Sequence, residues 1–527
     1  MLLKIIELLF ELIEEVVSVL AKVYSCAVHG IQGIPMEVEV DISDGLPAFE
    51  IIGLPDTAVR EAKDRVRSAI RNSGYSFPYS RITVNLAPAD LKKEGSGFDL
   101  AIAVGLLAAT GQIPKTEKLH SSLFVGELSL DGNLRRINGA LAMALSLSEI
   151  KNYSSKLFFL PFMNSSEASL VETLKVKGVY SLNQVAEYLL GKVDIPTENP
   201  VLDIIPDNSI DLDFNEVKGQ QTAKRALEVA AAGAHNILFY GPPGSGKTML
   251  AKRIPSILPA PTLDEILEIT RIHSVAGQLK PEQPLVQARP FRSPHHSASA
   301  AGIIGGGKLP RPGEVSLAHL GVLFFDELPE YNREVLEALR QPLEDHQVTI
   351  TRAAATVTFP ADFIFVGSMN PCPCGNYGDP KIECRCSPAQ VHRYRSKLSG
   401  PLIDRIDIQV EVPAIKYDQL HDGGEGESSI EIQERVEQAR QIQRSRFIKI
   451  KVNSNAGLKA RHFEKYCPLT GEASQLLRKS FQTLNLSMRA HDRIIKVART
   501  IADLDGTDLI EAIHIAEAVQ YRSLDRQ

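Results

Sequence analysis

The residues best suited to chemistry form a glycine-rich run, GPPGSGKT, which follows the apolar segment NILFY and precedes a helix-compatible segment. Glycines at this spacing let backbone N–H groups close around phosphate oxygens. In such a loop the lysine reaches the β- and γ-phosphates, and the hydroxyl that follows it ligates Mg²⁺. The pattern therefore predicts a site for ATP and Mg²⁺. Its predicted residues are Gly241, Pro242, Pro243, Gly244, Ser245, Gly246, Lys247 and Thr248.

A second part of such a site is an acid at the end of a buried strand, and GVLFFDE supplies two. Asp326 is predicted to complete the Mg²⁺ shell with Thr248, and Glu327 to polarise the attacking water. A glutamate beside that aspartate favours hydrolysis over simple binding, so the sequence predicts an ATPase. Asn370 ends the next apolar strand and is predicted to meet the γ-phosphate.

Two arginines are further candidates for the reaction. Arg405 precedes the last apolar strand of the core, where it would either reach a neighbouring subunit's nucleotide or form a surface salt bridge. Arg489 stands at a predicted helix start, from which a lid domain could lower it onto the phosphates. The candidate catalytic residues are thus Lys247, Asp326, Glu327, Asn370, Arg405 and Arg489.

Four of the six cysteines lie in NPCPCGNYGDPKIECRCS, as two Cys-x-Cys pairs. Four thiolates are the number that a closed structural zinc site uses, and the glycines between the pairs allow the loop to turn back. The spacing is tighter than the common zinc pattern, and free thiols packed in a loop are the alternative. The predicted zinc ligands are Cys372, Cys374, Cys384 and Cys386. The adjacent His295 and His296 lack further ligands at a suitable spacing, which favours a structural or polar-contact role.

The elements that must position these residues divide the chain into several parts. Alternating apolar strands and helices after residue 217 predict a mainly parallel sheet, whereas residues 21–190 mix strand and helix patterns in a separate α+β or α/β domain. The acidic loop HDGGEGESS is followed by helical sequence. The predicted parts are an amphipathic helical extension at 1–20, a domain at 21–190, a linker at 191–216, a core at 217–415 with the cysteine insertion at 372–386, and a helical lid at 430–527.

Composition narrows the protein class. A chain of 527 residues, 44% hydrophobic and 23% charged, predicts a globular protein of two to four domains. The net charge of −6 gives no overall sign of a nucleic-acid partner, although a local basic face can supply phosphate contacts. The clustered cysteines favour a reducing compartment, and the charged N-terminal run is neither a membrane span nor a signal peptide. A cytoplasmic location without membrane attachment is therefore predicted.

The order of the motifs carries a family resemblance. GPPGSGKT, FFDELPE, SMNPCPCG, GPLIDRIDI and SMRAHDRIIKVARTIADL, together with FRSPHHSAS, resemble the magnesium-chelatase-like AAA+ family from about residue 20 to the end of the chain. The resemblance implies a multidomain α/β fold with a P-loop AAA+ core and a helical lid. It also implies that Asn370 is sensor 1, Arg405 the arginine finger and Arg489 sensor 2, with Arg393 and Arg395 as further trans-acting candidates.

The resemblance also implies partners. It predicts a hexameric ring of identical chains that acts as an ATP-driven DNA motor, promoting branch migration in homologous recombination during natural transformation, with recombination proteins as further partners. The DNA would be single-stranded or branched. Two hairpin-like segments offer basic tips for it, with Lys308 and Arg311 on the first and Arg352 on the second. The alternative is a chelatase-type ATPase that remodels a protein partner.

The N-terminal domain resembles the Lon protease fold through KKEGSGFDLAIAVGLL and GELSLDGNLRRINGAL. The positions of Lon's serine and lysine fall on Gly97 and Leu141, and Leu141 cannot act as a base, so proteolysis is disfavoured. Lys92 and Lys93 either touch phosphates or form a solvated pair on a loop.

Overall fold

Two β-sheets organise the described part of the chain, one in each of two units. The computed structural model describes residues 20–200, 212–307, 310–352, 355–378, 382–414, 426–450, 452–484 and 486–522. The predicted helix over 1–20 (all but Leu20), the middle of the linker, the start of the acidic loop and Lys308 lie outside these residues. The first unit takes in the described residues up to 200 together with Thr270–Leu285, and the second unit takes in the others.

The first unit is built around a mixed sheet of seven strands. The strands of the unit, including two outside this sheet, are β1 (Ala21–His29), β2 (Gln32–Ser43), β3 (Ala48–Ile52), β4 (Arg81–Ala87), β5 (Ser122–Phe124), β6 (Glu127–Leu128), β7 (Leu134–Arg135), β8 (Leu157–Pro161) and β9 (Lys175–Val179). The sheet order is β3-β4-β2-β1-β5-β8-β9, and β6 and β7 form a separate hairpin. Strand β2 is antiparallel to β1 and β4, and the remaining neighbours in the sheet are parallel.

The helices of the first unit cover this sheet. They are α1 (Thr57–Asn72), α2 (Asp99–Ala109), α3 (Glu117–His120), α4 (Ala140–Glu149), α5 (Phe162–Ala168) and α6 (Leu182–Leu189). Helix α2 is apolar on all sides, and the structure buries it against β1, β2 and α1. The one charged residue of α2, Asp99, is held by Arg65, whose Nε lies 2.7 Å from Asp99 Oδ2. Burial raises the pKa of Asp99 to about 6, although Arg65 favours the charged form.

A segment distant in sequence completes the first unit. Ser274 lies in Thr270–Leu285, and its hydroxyl donates to the buried Glu167 Oε2 at 2.7 Å. Its carbonyl accepts from the N–H of Gly139 at 3.1 Å, directly before α4. Asn164 donates to the other oxygen of Glu167 at 2.5 Å. These groups satisfy one another inside the unit, as buried polar groups require.

The second unit contains a five-stranded parallel sheet, which confirms the predicted mixed α/β class with parallel strands. The strands of the unit, including four outside this sheet, are β10 (Ile237–Tyr240), β11 (Phe291–Arg292), β12 (Gly305–Gly306), β13 (Arg311–Pro312), β14 (Val322–Phe325), β15 (Gln347–Arg352), β16 (Ala355–Pro360), β17 (Ile364–Met369) and β18 (Ile408–Glu411). The sheet order is β11-β14-β17-β10-β18, and β12–β13 and β15–β16 are antiparallel hairpins. The central strands are buried on both faces, which accounts for their unbroken apolar sequences.

The remaining helices of the chain begin before the P-loop and extend into the C-terminal region. They are α7 (Gln221–Gly233), α8 (Lys247–Ile257), α9 (Leu263–Ala276), α10 (Ala300–Ile304), α11 (Glu314–Leu317), α12 (Arg333–Ala338), α13 (Arg340–Asp345), α14 (Pro388–Arg395), α15 (Gly400–Ile403), α16 (Ser429–Phe447), α17 (Phe463–Tyr466), α18 (Gly471–Thr483), α19 (Met488–Leu504) and α20 (Ala512–Gln520). Helix α9 begins in the second unit, and its residues from Thr270 onward belong to the first.

The C-terminal helices share a core with the parallel sheet. Ala226 of α7 and Ile254 of α8 belong to the same buried cluster as Val436 of α16 and Ile494 of α19. Phe214, near the end of the predicted linker, is fully buried in this cluster. No helix among the described residues combines the length and apolar composition needed to cross a lipid bilayer.

Candidate active site

The glycine-rich loop lies between β10 and α8, the position that its sequence predicts. Gly244 and Gly246 have φ angles of +74° and +92°, which L-residues with side chains rarely adopt. Lys247 is buried, and its Nζ donates to the carbonyls of Gly241 and Pro242 at 2.8 Å each. The loop therefore has the backbone of a phosphate-binding loop, with its lysine tucked against it.

Three strands bring the predicted catalytic groups to this loop. The Lys247 Nζ lies 3.3 Å from Asn370 Oδ1, at the end of β17. The Thr248 hydroxyl donates at 2.8 Å to Oδ2 of Asp326, the residue directly after β14. Because carboxyl ends of parallel strands meet at one edge of a sheet, β10, β14 and β17 deliver these residues together.

Glu327 follows Asp326 and is exposed at the same edge. Its backbone is in the left-handed region, with φ of +51°, and its N–H donates to Ser368 Oγ at 3.2 Å. Ser368 also donates to Asp326 Oδ1. Ser368 is not among the residues predicted from sequence, although a serine near the end of the buried strand FIFVGSM was the available signal. Ser368 holds both acids in place from the neighbouring strand.

The electrostatics of the site centre on Lys247. Burial lowers the pKa of Lys247, whereas the nearby carboxylates of Asp326 and Glu327 act against that shift. Phosphate groups at this loop would also favour the charged lysine. The arrangement is thus suited to binding an anion together with a divalent cation.

Tyr331 connects this edge to the FRSPHHSAS segment. Its hydroxyl donates to the carbonyl of Pro294 at 2.5 Å, and its ring stacks on Phe325 of β14 with centroids 4.2 Å apart. The rings of His295 and His296 lie 4.0 Å apart, and His295 Nδ1 is 2.8 Å from Ser297 Oγ. In the described part of the chain, neither histidine belongs to a group of three or more potential metal ligands.

The four cysteines converge, and their ligand atoms all lie within 4.8 Å of one another. The Sγ of Cys372 is 3.4 Å from that of Cys374 and 3.7 Å from that of Cys384, and Cys374 and Cys384 are 3.6 Å apart. Tetrahedral zinc with bonds of about 2.3 Å places its sulfurs roughly 3.8 Å apart, so the residues fit this ion. The backbone N–H groups of Asn376 and Arg385 lower the pKa of the Cys374 thiol to about 6.

The other two cysteines lie apart from this cluster. Cys26 and Cys467 are both buried, and burial raises the pKa of the Cys26 thiol and raises that of Cys467 to about 12. Both are therefore ordinary core residues.

Arg405 and Arg489 contact residues outside the P-loop. Arg405 lies after α15, and its Nη2 is 2.5 Å from Glu344 while its Nη1 donates to Pro401 O at 2.7 Å. Arg489, in the first turn of α19, is exposed and lies 3.7 Å from Asp404. The structure therefore joins Lys247 with Asn370 and Thr248 with Asp326, whereas the two arginines have other partners.

Helix α14 follows the cysteine cluster and carries the other basic candidates. Arg395 Nε donates to Pro371 O at 3.1 Å, and its guanidinium lies 5.0 Å from the centroid of the Tyr377 ring. Arg393 and Arg385 are exposed. Arg395 thus braces the cysteine loop.

The two hairpins of the second unit pack against each other. A Cβ atom added to Gly305 in the β12–β13 hairpin would lie 2.8 Å from the side chain of Ile350 in the β15–β16 hairpin. A Cβ atom added to Gly306 would lie 3.4 Å from the side chain of Arg352. Arg311 and Arg352 are both exposed. The two packed hairpins therefore each present one exposed arginine.

In the first unit, the residues compared with Lon occupy an ordered loop and a helix. Leu141 is buried in α4, and Ser96, the neighbour of Gly97, donates to the carboxylate of Glu127. Lys93 is fully buried, and its Nζ donates to the carbonyls of Leu91, at 2.7 Å, and Pro88. The suggestion that Lys93 contacts phosphates is therefore wrong, because its ammonium group is already bonded inside the fold. Lys92 is exposed and pairs with Glu94 at 3.1 Å.

Family models match most of the chain in three stretches. "Magnesium chelatase, subunit ChlI" matches residues 213–420, "Subunit ChlI of Mg-chelatase" matches 38–164, and "Magnesium chelatase, subunit ChlI C-terminal" matches 426–522. The first of these stretches contains the P-loop, both acids, Asn370, the cysteines and Arg405.

Curated relatives match almost from end to end. The competence protein ComM of Haemophilus influenzae is 44% identical over 515 residues, which are 96% of this chain and 98% of that protein. The uncharacterized protein YifB of Salmonella typhimurium is 44% identical over 508 residues, with the same shares. Lon protease 2 of Bacillus subtilis is 27% identical over 207 residues, 33% of this chain and 35% of that protein, so this likeness is partial.

Proposed function

Because the chain belongs to the magnesium-chelatase subunit ChlI family of AAA+ proteins, we propose that it is an ATP-driven DNA motor that promotes branch migration in homologous recombination. Family membership implies ATPase activity and an oligomeric assembly. The observation that carries the proposal is the geometry of the ATP site, where Lys247 is hydrogen-bonded to Asn370 and Thr248 to Asp326. The name of the competence relative supports a role in natural transformation.

In the proposed reaction the P-loop N–H groups and Lys247 bind the phosphates of ATP. Mg²⁺ would be held by the Thr248 hydroxyl and the Asp326 carboxylate, oxygen donors 2.8 Å apart that suit this cation. The ion supplies neutralisation of phosphate charge. Glu327 accepts a proton from the attacking water, and Asn370 donates to the γ-phosphate.

The assembly we propose is a hexameric ring. Arg405 would leave Glu344, whose side chain is 52% exposed, and contact the nucleotide of the neighbouring chain. Arg489 would act as sensor 2 from α19, and Arg393 and Arg395 are additional candidates at the same interface. Because the Glu344 side of this ion pair faces solvent, a phosphate, which has more charge, can replace it.

DNA, single-stranded or branched, would be contacted by the paired hairpins through Arg311 and Arg352, and by Lys308. Each hairpin offers few charges, but a ring multiplies them along one backbone. The proposed organisation keeps a Lon-protease-like domain without a catalytic dyad at 21–190, a linker at 191–216, the AAA+ core at 217–415 and the lid at 430–527. Within the core range, Thr270–Leu285 belongs to the first unit.

We also propose that the four cysteines hold a structural zinc ion. Four thiolates leave no open coordination position, so the ion would brace the loop and take no part in catalysis. A cluster of four cysteines favours a reducing, cytoplasmic location. A second candidate function, remodelling of a protein partner, is favoured by the chelatase name of the matched family.

Strand displacement on forked and Holliday-like DNA tests the proposal. We expect ATP-dependent movement of strands and stimulation of ATP hydrolysis by single- or double-stranded DNA. Lys247→Ala is the control and should remove both. Hydrolysis that DNA does not stimulate, without strand movement, would overturn the DNA motor and favour the protein-remodelling function.

A further inference from the structure

The chain that leaves β17 touches the P-loop before it enters the cysteine cluster. The carbonyl of Met369 accepts from the N–H of Gly241 at 3.3 Å. The next residue, Asn370, lies 3.3 Å from the Nζ of Lys247. The start of the cysteine loop is thus bonded to the first glycine and to the lysine of the phosphate-binding loop.

A third contact lies inside the cysteine loop itself. Gly375 is buried, and a Cβ atom on it would lie 2.8 Å from Cγ of Pro243 and closer still to Cδ. Real Cβ atoms essentially never approach so closely, so the two loops are in direct van der Waals contact. Pro243 belongs to the P-loop, and its ring is rigid. Movement of Gly375 therefore acts on the phosphate-binding loop.

The cysteines determine where Gly375 lies. Its N–H donates to the carbonyl of Cys372 at 3.0 Å, which closes a turn that contains both Cys372 and Cys374. Cys384 approaches both of their sulfurs from the far side of the loop, at 3.7 and 3.6 Å. Thiolates held this closely repel one another unless a cation joins them.

We propose that the metal ion bound by the four cysteines fixes the P-loop through Gly375 and Pro243, so that zinc occupancy sets the affinity for ATP. This inference rests on the zinc and ATP sites of the proposed function and is independent of DNA. The zinc ion acts as a positioning element for nucleotide binding.

Two glycines of the same loop provide a matched pair of variants. Gly375 and Gly378 both have a φ of +84°, so alanine brings the same backbone strain at each. An added Cβ meets Pro243 at position 375 and nothing within 4 Å at position 378. We expect Gly375→Ala to raise the Kd of a fluorescent ATP analogue about tenfold relative to Gly378→Ala. Both should keep about one zinc per chain by metal analysis.

A rescue variant separates this contact from general damage. Pro243→Ala removes the ring that a new Cβ would strike, so Gly375→Ala combined with Pro243→Ala should bind the analogue as Pro243→Ala alone does. Equal affinity of the Gly375→Ala and Gly378→Ala variants would overturn the proposal.

The metal is tested separately in protein without glycine substitutions. Removing zinc from the wild-type chain with a zinc-selective chelator, or by Cys384→Ser, should raise the same Kd about tenfold. Re-addition of zinc should reverse the effect of the chelator. Unchanged affinity after zinc loss, or wild-type protein that contains no zinc, would overturn the proposal. Because no DNA is present, failure of the DNA motor would leave these results unaffected.

Discussion

At the scale of the residue, the division of labour between the adjacent acids Asp326 and Glu327 follows from their partners. Asp326 accepts hydrogen bonds from Thr248 and Ser368 and is thereby fixed beside the P-loop. Glu327 is exposed, and its backbone N–H donates to Asp326 Oδ1 and Ser368 Oγ. A side chain in that position is free to act on a water molecule.

We therefore expect Glu327→Gln to bind ATP normally and to hydrolyse it about 100-fold more slowly, because the amide cannot accept the proton of the attacking water. Single-turnover hydrolysis and nucleotide titration measure the two effects. Glu330→Gln is the control, since Glu330 is an exposed acid three residues further on that pairs with Lys397. A normal rate for Glu327→Gln would remove Glu327 from the mechanism.

At the scale of the element, one buried charge connects the last strand of the sheet to helix α19. Asp407, directly before β18, accepts from the N–H of Asn236 at 3.0 Å and is paired with Arg493. Burial would raise the pKa of Asp407, but Arg493 and His235 hold it well below its usual range. The pair attaches the C-terminal helices to the ATP-binding sheet.

Asp407→Asn should lower the free energy of unfolding by about 3–5 kcal/mol, because it leaves Arg493 without its partner. The folded pKa is lower than the unfolded one, so the contribution of Asp407 is complete well above pH ~3.9 and is lost as the pH falls below that value. Thermal unfolding at pH 7 and pH 3 should show a difference between variant and wild type that shrinks in acid. Asp404→Asn, in a more exposed pair, should cost about 1 kcal/mol or less.

Much of the second unit could be predicted from sequence, because its signals are local. Strands such as NILFY and FIFVGSM are apolar throughout, and GPPGSGKT fixes a strand–loop–helix order. Strand β11 was missed, since two residues after a proline give no periodic pattern. Ser368 and the pair of Asp407 with Arg493 were missed because their partners are distant in sequence.

The first unit shows a different limit. Helix α9 has the sequence LDEILEITRIHSVA, and such a sequence contains no information on which core receives the apolar face of the helix. The structure assigns Thr270–Leu285 to the first unit, although in the sequence these residues lie between the P-loop and the FRSPHHSAS segment, which both belong to the second unit. The contacts of Ser274 with Glu167 and with Gly139 show that assignment.

At the scale of the whole molecule, the proposed ring depends on one chain completing the site of another. Arg405→Ala and Lys247→Ala should each reduce ATP hydrolysis, Arg405→Ala by about 1,000-fold if the arginine acts in trans. Mixing the two inactive proteins should restore activity, because a chain with Lys247 can receive Arg405 from its Lys247→Ala neighbour. Steady-state hydrolysis across mixing ratios measures this effect.

The control for mixing is Glu344→Gln, which frees Arg405 from its partner without removing it. This variant should hydrolyse ATP at least as fast as the wild type. Mixtures of Arg405→Ala and Lys247→Ala that stay inactive at every ratio would place Arg405 in a purely structural ion pair.

The attachment of Thr270–Leu285 to the first unit limits how the gene can be divided. A fragment ending at the linker would keep Glu167 and lose the Ser274 hydroxyl that binds its buried carboxylate. Exchange of the N-terminal unit between relatives must therefore transfer two separate coding segments, one of them from within the ATPase sequence. Residues in these two segments pack against one another, so a substitution in one segment should be accompanied by a compensating substitution in the other. The sequence of the first unit is thus expected to change together with part of the ATPase sequence.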